Sequence, residues 1–400
     1  MTKKKKLLFY ALSFLVPFAV GILMFICRKI APFGQYALTA IDGWGQYFPM
    51  LREAERDLYS LNTYSFTGAL GFDAFAQSGY YTNSPLWLLL FLLPGKITVW
   101  EVDMMVLVRF GLMGLTFFIY AFSRSEKAPV SKLILSAAYA LSGYTLTFIN
   151  QFMWMDAVIL LPLVALGIER FYREKKWLLY TASLAVTIWS NFYISYMVCV
   201  FAVIWFFKEV LRMGRAQTFQ QFLLKGLLFA ACSLGVAAVN LPVILSVGKA
   251  LSETLAVTKP APTALKLYHP LLEVLKRMLP GMGRSLEFGP PNIYFGLLTL
   301  VFTGITLFRR TVPLRMKIFF GALAAFFLLS FNLNVLDYAW HGFHFPNQLP
   351  ARQSFLFIFI MLVAAVPGTE IAEGFFKRKR FLQVLLSVLI MAELMINAGV

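Results

Sequence analysis

The chain reads as an all-α polytopic membrane protein with about eleven transmembrane helices, and three observations carry that expectation. It is 60% hydrophobic and only 14% charged over 400 residues, whereas a soluble domain carries about a quarter charged residues. Its mean hydropathy is +0.72, and apolar runs long enough to cross a hydrocarbon core of about 30 Å recur along it. Finally, the net charge of +17 is gathered in short basic clusters between those runs, the pattern that orients membrane helices. That distribution excludes nucleic acid as a partner, because a nucleic-acid binder gathers its charge on one face or stripe. The 41 Phe and the 16% aromatic content fit lipid-facing helices.

Lys3–Lys6 followed by the apolar Leu7–Cys27 starts like a signal peptide. The apolar stretch is long enough to span, and no small-x-small cleavage site follows, so a retained first helix is expected. Further spans are expected at about 101–122, 131–149, 154–169, 177–190, 192–207, 222–247, 292–308, 316–331, 353–369 and 381–398. They have to be helical, because lipid offers free backbone groups no partner. Pro85–Leu93 is apolar but too short to cross, which predicts a re-entrant or interfacial helix ending at Pro94-Gly95.

With the N-terminus in the cytoplasm, every inner connection is basic. These connections hold Lys3–Lys6, Arg124/Lys127/Lys132, Arg170/Arg173/Lys175/Lys176, Lys208/Arg212/Arg215/Lys225, Arg309/Arg310/Arg315/Lys317 and Lys377–Arg380. The alternation satisfies the positive-inside rule and sends the C-terminus outside. Three long segments, about 28–100, 248–291 and 332–352, then form the outer face. Long irregular segments in a compact protein are usually functional, so the chemistry is expected there. The whole of 1–400 reads as a single transmembrane domain. Because the sequence stops directly after the last span, a longer protein with a C-terminal outer domain is expected. Cys27, Cys199 and Cys232 lie in or beside apolar runs, without the spacing of a disulfide framework or a metal site.

Four outer motifs carry candidate chemistry. Asp42-Gly43-Trp44-Gly45-Gln46-Tyr47-Phe48-Pro49 sets a carboxylate among glycines and aromatics. There it can hold a metal or accept a proton from a hydroxyl, or cap an amphipathic helix over Gln46–Leu61. Gly68-Ala69-Leu70-Gly71-Phe72-Asp73 and Ser78-Gly79-Tyr80-Tyr81-Thr82-Asn83-Ser84-Pro85 offer Asp73, Tyr80, Tyr81 and Asn83 as a sugar or headgroup platform; interfacial tyrosines are also an ordinary aromatic belt. In Asn150-Gln151-Phe152-Met153-Trp154-Met155-Asp156, Asp156 lies either at membrane depth, where an acid needs a partner, or in the headgroup layer. The stretch from Trp340 to Phe355 contributes His341, His344, Asn347 and Arg352. Arg352 can clamp a phosphate or snorkel to the headgroups, and histidine can titrate or bind a metal. Lys249, Lys259, Lys266, Lys276, Arg277 and Arg284 precede Asn292-Ile293-Tyr294-Phe295-Gly296; this outer basic group suits lipid phosphate, an anionic polymer or ordinary headgroups. No Walker loop or GxSxG elbow is present.

At these residues the chain resembles the YfhO family of bacterial membrane proteins, which are similar to the GT-C class of glycosyltransferases. The motifs follow in the expected order over nearly the whole chain. The resemblance implies a GT-C-like fold and transfer of a sugar from a polyprenyl-phosphate carrier to a cell-envelope polymer outside the cytoplasmic membrane, a teichoic acid among the candidate acceptors. It implies Asp42 as the catalytic acidic residue. Some members of the class use a divalent metal and others none, so the metal stays open. Within that mechanism Arg352, His341 and His344 are expected at the donor phosphate. Tyr80, Tyr81, Asn83, Asp73, Asp156, Asn292, Tyr294 and Asn347 are expected around sugar and acceptor. Two alternatives belong to other classes: a transporter or flippase of lipid-linked sugars, which needs broken helices and polar groups at mid-membrane, and a non-catalytic envelope-assembly scaffold.

Overall fold

A computed structural model describes residues 1–60, 63–66, 71–92, 96–214, 217–254 and 260–375. Its helices are α1 (Lys3–Cys27), α2 (Phe48–Ser60), α3 (Ala74–Tyr81), α4 (Pro85–Phe91), α5 (Val99–Arg124), α6 (Pro129–Ala140), α7 (Gly143–Thr147), α8 (Phe152–Glu174), α9 (Leu178–Ser190), α10 (Phe192–Met213), α11 (Phe219–Val239), α12 (Leu241–Ser252), α13 (Leu271–Lys276), α14 (Leu297–Phe308), α15 (Leu314–Ser330), α16 (Asn334–Trp340) and α17 (Ser354–Phe375). The sole sheet among the described residues is a short antiparallel ribbon, β1 (Tyr64–Ser65) against β2 (Phe72–Asp73), with Tyr64 opposite Asp73. The chain divides into two compact units. One comprises Met1–Pro17, Met113–Phe148 and Pro260–Val400; the other comprises Phe18–Leu112 and Ile149–Lys259.

The all-helical expectation holds. Among the described residues five helices, α1, α5, α8, α10 and α11, are long and apolar enough to cross a membrane. Several other expected spans are shorter apolar helices of 10–17 residues, α9, α12 and α14 among them. The span expected at 381–398, the cluster Lys377–Arg380, Arg215, Lys259, the Gly68–Leu70 stretch and the Pro94-Gly95 end all lie outside the described residues.

Two expected spans are each broken in two, and the sequence explains both breaks. The run 222–247 stops at Asn240, whose buried amide donates to the Val236 carbonyl at 3.0 Å. Pro242 then sits at the start of α12, where a missing N–H costs nothing but inside a helix would remove a hydrogen bond. The run 131–149 breaks at Leu141–Ser142 between α6 and α7. There the Gly143 amide leaves the helical pattern for the Tyr294 carbonyl at 2.7 Å, and the Thr145 hydroxyl bonds the Ala140 carbonyl at 2.8 Å. The expected span 292–308 begins only at Leu297, because Asn292–Gly296 is extended chain against Gly143.

In the unit holding Ile149–Lys259, α8 packs along α9 and α10. Gly167 lets α9 approach so closely that a Cβ there would stand 2.5 Å from the Tyr180 backbone nitrogen. The far ends of α8 and α10 are joined by a buried charge network. Arg173 pairs with Glu209 at 2.9 Å, Lys208 with Glu209 at 3.0 Å and with Glu169, and Arg212 with Glu209 at 2.8 Å. Lys208 also rests 4.1 Å above the Trp205 ring. Charges at such depth are tolerated when paired like this. In the other unit α17 is the central element, packed on α14, α15 and α6, with Phe359 meeting Phe117, Tyr120 and Tyr139.

Gly167→Ala is expected to lower the thermal stability of the detergent-solubilised protein by about 1–3 kcal/mol, the cost of overpacking against backbone that cannot yield. Thermal unfolding followed by tryptophan emission checks it, with Gly235→Ala, where a Cβ meets nothing within 4 Å, as the neutral comparison.

Candidate functional site

Asp42 lies in the segment between α1 and α5, in the unit that begins at Phe18. Directly after Ala40 the chain turns sharply, through Ile41 at φ +50°. A β-branched residue in the left-handed region stores strain of roughly 1–3 kcal/mol, here on a side chain 88% exposed. Asp42 follows in helical conformation and opens a π-helical turn, Gly43–Tyr47, that runs directly into α2. The Asp42 side chain is exposed and accepts no capping hydrogen bond. Of the two expected readings, the helix cap is therefore not realised.

The strand of chain before Asp42 is anchored by a residue that sequence reasoning passed over. Asp103 of α5 is buried and accepts the Leu38 amide at 2.8 Å, the Thr39 amide at 3.0 Å and the Thr39 hydroxyl. A carboxylate holding two backbone amides supplies charge-assisted bonds of about 1.5–3 kcal/mol each. Its signal was an acid four positions into an apolar span.

Behind Asp42 stands a set of tyrosines fixed from several elements. Gln46 donates to the Tyr81 hydroxyl at 3.1 Å, and Tyr47 donates to Gln151 Oε1 at 2.8 Å. Trp154 Nε1 donates to the Tyr80 hydroxyl at 3.1 Å. Asn191 accepts the Ile194 amide, capping α10, and donates its own amide to the Tyr80 carbonyl at 2.7 Å. The rings of Tyr80 and Tyr81 meet edge to face at 4.6 Å, and Tyr47 lies 5.6 Å from Tyr81. Close approach of α3 to α12 depends on Gly79, where a Cβ would stand 2.9 Å from both Val243 and Val247. Burial pushes the Tyr81 phenol well up, and Tyr80, Tyr47 and the Asp42 carboxylate push it the same way. Tyr81 therefore keeps its proton at neutral pH, beside a carboxylate whose field it feels.

Asp73 caps α3, accepting the Ala76 amide at 3.0 Å. Asn83 lies in the turn between α3 and α4, with its Nδ2 buried and without a hydrogen-bond partner. Asp156 is buried within the protein: it is 3% exposed and lies 3.4 Å from the Nε of Arg109, which is wholly buried in α5. Arg109 stands 4.2 Å from the centre of the Trp87 ring and donates through Nη2 to Ser84 Oγ at 3.3 Å. Ser84 in turn caps α4 through the Leu86 amide. Arg109 was legible in principle, as an arginine in the middle of the apolar run Val106-Leu107-Val108-Arg109-Phe110.

The remaining expected residues belong to the other unit. Asn292 clamps Ser285 through both backbone groups, at 3.0 and 2.8 Å. Burial pushes the phenol of Tyr294 up, and its carbonyl holds Gly143. His341 is wholly buried, its Nδ1 2.7 Å from the Asp337 carbonyl oxygen and 3.1 Å from Asp337 Oδ1. His344 is half-buried and Asn347 exposed. Arg352 turns onto its own loop, donating to the Leu349 carbonyl at 3.2 Å and the Gln348 carbonyl at 3.0 Å. Arg277 likewise holds its loop, bonding Ser285 and the Gly283 carbonyl. Among the described residues no three His, Cys, Asp or Glu side chains form a group able to hold a metal. The three cysteines are unpaired thiols.

Arg109→Met is expected to destabilise the protein by about 3–5 kcal/mol, because it strands the Asp156 carboxylate in an apolar interior. The double variant Arg109→Met/Asp156→Leu should recover most of that loss. Melting temperatures of the wild type and the two variants in detergent measure it.

Neither curated proteins nor solved structures give a match to this sequence. The family model described as bacterial membrane protein YfhO matches residues 13–399. With nearly its entire length covered, the chain belongs to the YfhO family of bacterial membrane proteins.

Proposed function

We propose that the protein is a GT-C-type glycosyltransferase that moves a sugar from a polyprenyl-phosphate carrier to a cell-envelope polymer, a teichoic acid among the candidate acceptors. The reaction takes place on the outer face of the cytoplasmic membrane, with the N-terminus of the enzyme in the cytoplasm. The observation that carries this reading is the exposed carboxylate of Asp42, without a capping hydrogen bond, at the head of the π-helical turn whose Gln46 donates to the Tyr81 hydroxyl at 3.1 Å.

Asp42 accepts the proton of an acceptor hydroxyl, whose oxygen attacks the anomeric carbon of the donor sugar. The bond between that carbon and the phosphate oxygen breaks, and its electron pair leaves with the polyprenyl phosphate. Tyr81, kept neutral by burial and by its negative neighbour, donates a hydrogen bond to an oxygen of the sugar or of the leaving phosphate. A preorganised donor of this kind at a developing charge contributes roughly 3–4 kcal/mol in other enzymes. The apolar carrier needs a membrane enzyme, and the apolar helices of this chain supply one.

A second reading is favoured by one observation, the buried Arg109–Asp156 pair inside apolar helices. Intramembrane ion pairs also mark transport pathways, which keeps a flippase of lipid-linked sugars as the rival.

Purified protein in proteoliposomes, given a radiolabelled polyprenyl-phosphate sugar and envelope polymer, separates the two. Transfer into the polymer is expected, lost by at least about a hundredfold in Asp42→Asn and reduced about tenfold or more in Tyr81→Phe. Label that crosses the bilayer without forming a glycosidic bond supports the flippase. Asp42→Asn protein that is folded and turns over near normally removes the proposed base.

A further inference from the structure

A cleft of about 400 Å³ opens within the Asp42 unit, lined by residues of α2, α3, α4 and the end of α9. That volume falls within the range of small-molecule sites, roughly 300–1,000 Å³. One wall is the indole of Trp189, 39% exposed, with Phe75 set against it at 66° and 6.4 Å. Met50, Leu88 and Phe91 extend this apolar lining, and Gln77, Ser78, Asn83 and Glu53 add amide, hydroxyl and carboxylate groups to it. Ser78 and Glu53 are held in place. Ser78 donates to the Phe75 carbonyl at 2.7 Å, which leaves its oxygen lone pairs to accept. Glu53 pairs with Arg56 at 3.1 Å and takes a bond from Ser65. Asn83 presents a buried Nδ2 with no hydrogen-bond partner. Ser84 lines the cleft with Arg109 bonded to it from the interior.

This lining selects its ligand by chemistry. A lipid tail would bury Asn83, Gln77 and Glu53 against hydrocarbon, each at a cost of about 1–3 kcal/mol. A phosphate would find no Lys, Arg or His among the described lining residues, and Arg56 is already paired with Glu53. Arg109, the cation behind Ser84, is already committed to Asp156. A pyranose ring has one apolar face for the indole and hydroxyls around its edge for the amides and the carboxylate. We propose that this cleft binds a neutral sugar unit of the acceptor glycan, with Trp189 as its stacking platform and Asn83, Gln77 and Glu53 as its hydroxyl readers. The assignment of the sugar to the acceptor rests on the transferase function proposed above; the binding of a neutral saccharide does not.

Saturation-transfer NMR on the full chain in nanodiscs, with methyl glycosides of glucose, galactose and N-acetylglucosamine as probes, tests the cleft directly. At least one probe should receive saturation at its ring protons. The signal should fall several-fold in Trp189→Ala and in Asn83→Ala, return in Trp189→Phe, and stay unchanged in Trp177→Ala, an exposed indole at the opposite end of α9. In the transfer assay Trp189→Ala should raise the acceptor KM about tenfold, roughly 1.4 kcal/mol, with kcat within about twofold. Absence of any sugar signal, or equal signals in wild type and Trp189→Ala, overturns the proposal. Transfer with unchanged KM in both variants overturns the acceptor assignment while leaving the transferase standing. Sugar contact without transfer in the wild type removes the transferase and leaves the cleft.

Discussion

A guanidinium with no exposure to solvent has to be met by protein on every side, and the placement of the outer chain follows from how Arg109 is met. Asp156 neutralises it, the Trp87 ring faces it and Ser84 accepts from it. Two of those three partners, Ser84 and Trp87, belong to the segment between the first two long helices. A charge buried in a span thus fixes the start of α4 and the turn holding Asn83. Asp103, six residues earlier on the same helix, does the same for Leu38 and Thr39. Asn191, Trp154 and Gln151 tie Tyr80 and Tyr47 to α10 and α8. Loops ordinarily move more than the elements they join. This one is pinned at five points by polar side chains rooted at or near long apolar helices, which is how a catalytic or binding constellation gains precision.

The same arrangement gives Asp42 and Tyr81 their difference in character. Asp42 follows a strained left-handed turn, reaches water and is left uncapped. Tyr81 is largely buried among other phenols, so it holds its proton against that carboxylate. One group suited to accept a proton and one suited to donate a hydrogen bond stand on a single turn-and-helix scaffold.

Hydropathy and basic clusters made the helical membrane class plain, because those signals are additive over twenty residues and survive errors of detail. Breaks inside long apolar runs were harder to see. Asn240-Leu241-Pro242 carries a local signal for its break, but the gap at Leu141–Ser142 exists because Asn292–Gly296 arrives from far along the chain to bond Gly143. No local window contains that contact. The outer segment read as irregular for the opposite reason. Asp103 holds Leu38 and Thr39, while Arg109 and Asn191 bond Ser84 and Tyr80 at the short helices, each partner distant in sequence. Of the residues proposed for the site, Tyr80, Tyr81 and Asn83 stand out in the sequence by their clustering, and Asp42 by its glycine and aromatic flanks. Asp73 and Asn292 proved to hold backbone, the first as a helix cap and the second as a clamp on Ser285. Arg109 and Trp189 were missed because each sits in an apolar run whose hydropathy masked it.

The account stands on Asp42 facing the water outside the cell. Replacing Cys27, Cys199 and Cys232 with serine and introducing Asp42→Cys gives a chain with one thiol, which a membrane-impermeant maleimide can probe on intact cells. Labelling without permeabilisation is the predicted result. A thiol that reacts only after the membrane is opened would put the carboxylate in the cytoplasm and contradict both the orientation and the chemistry assigned to it.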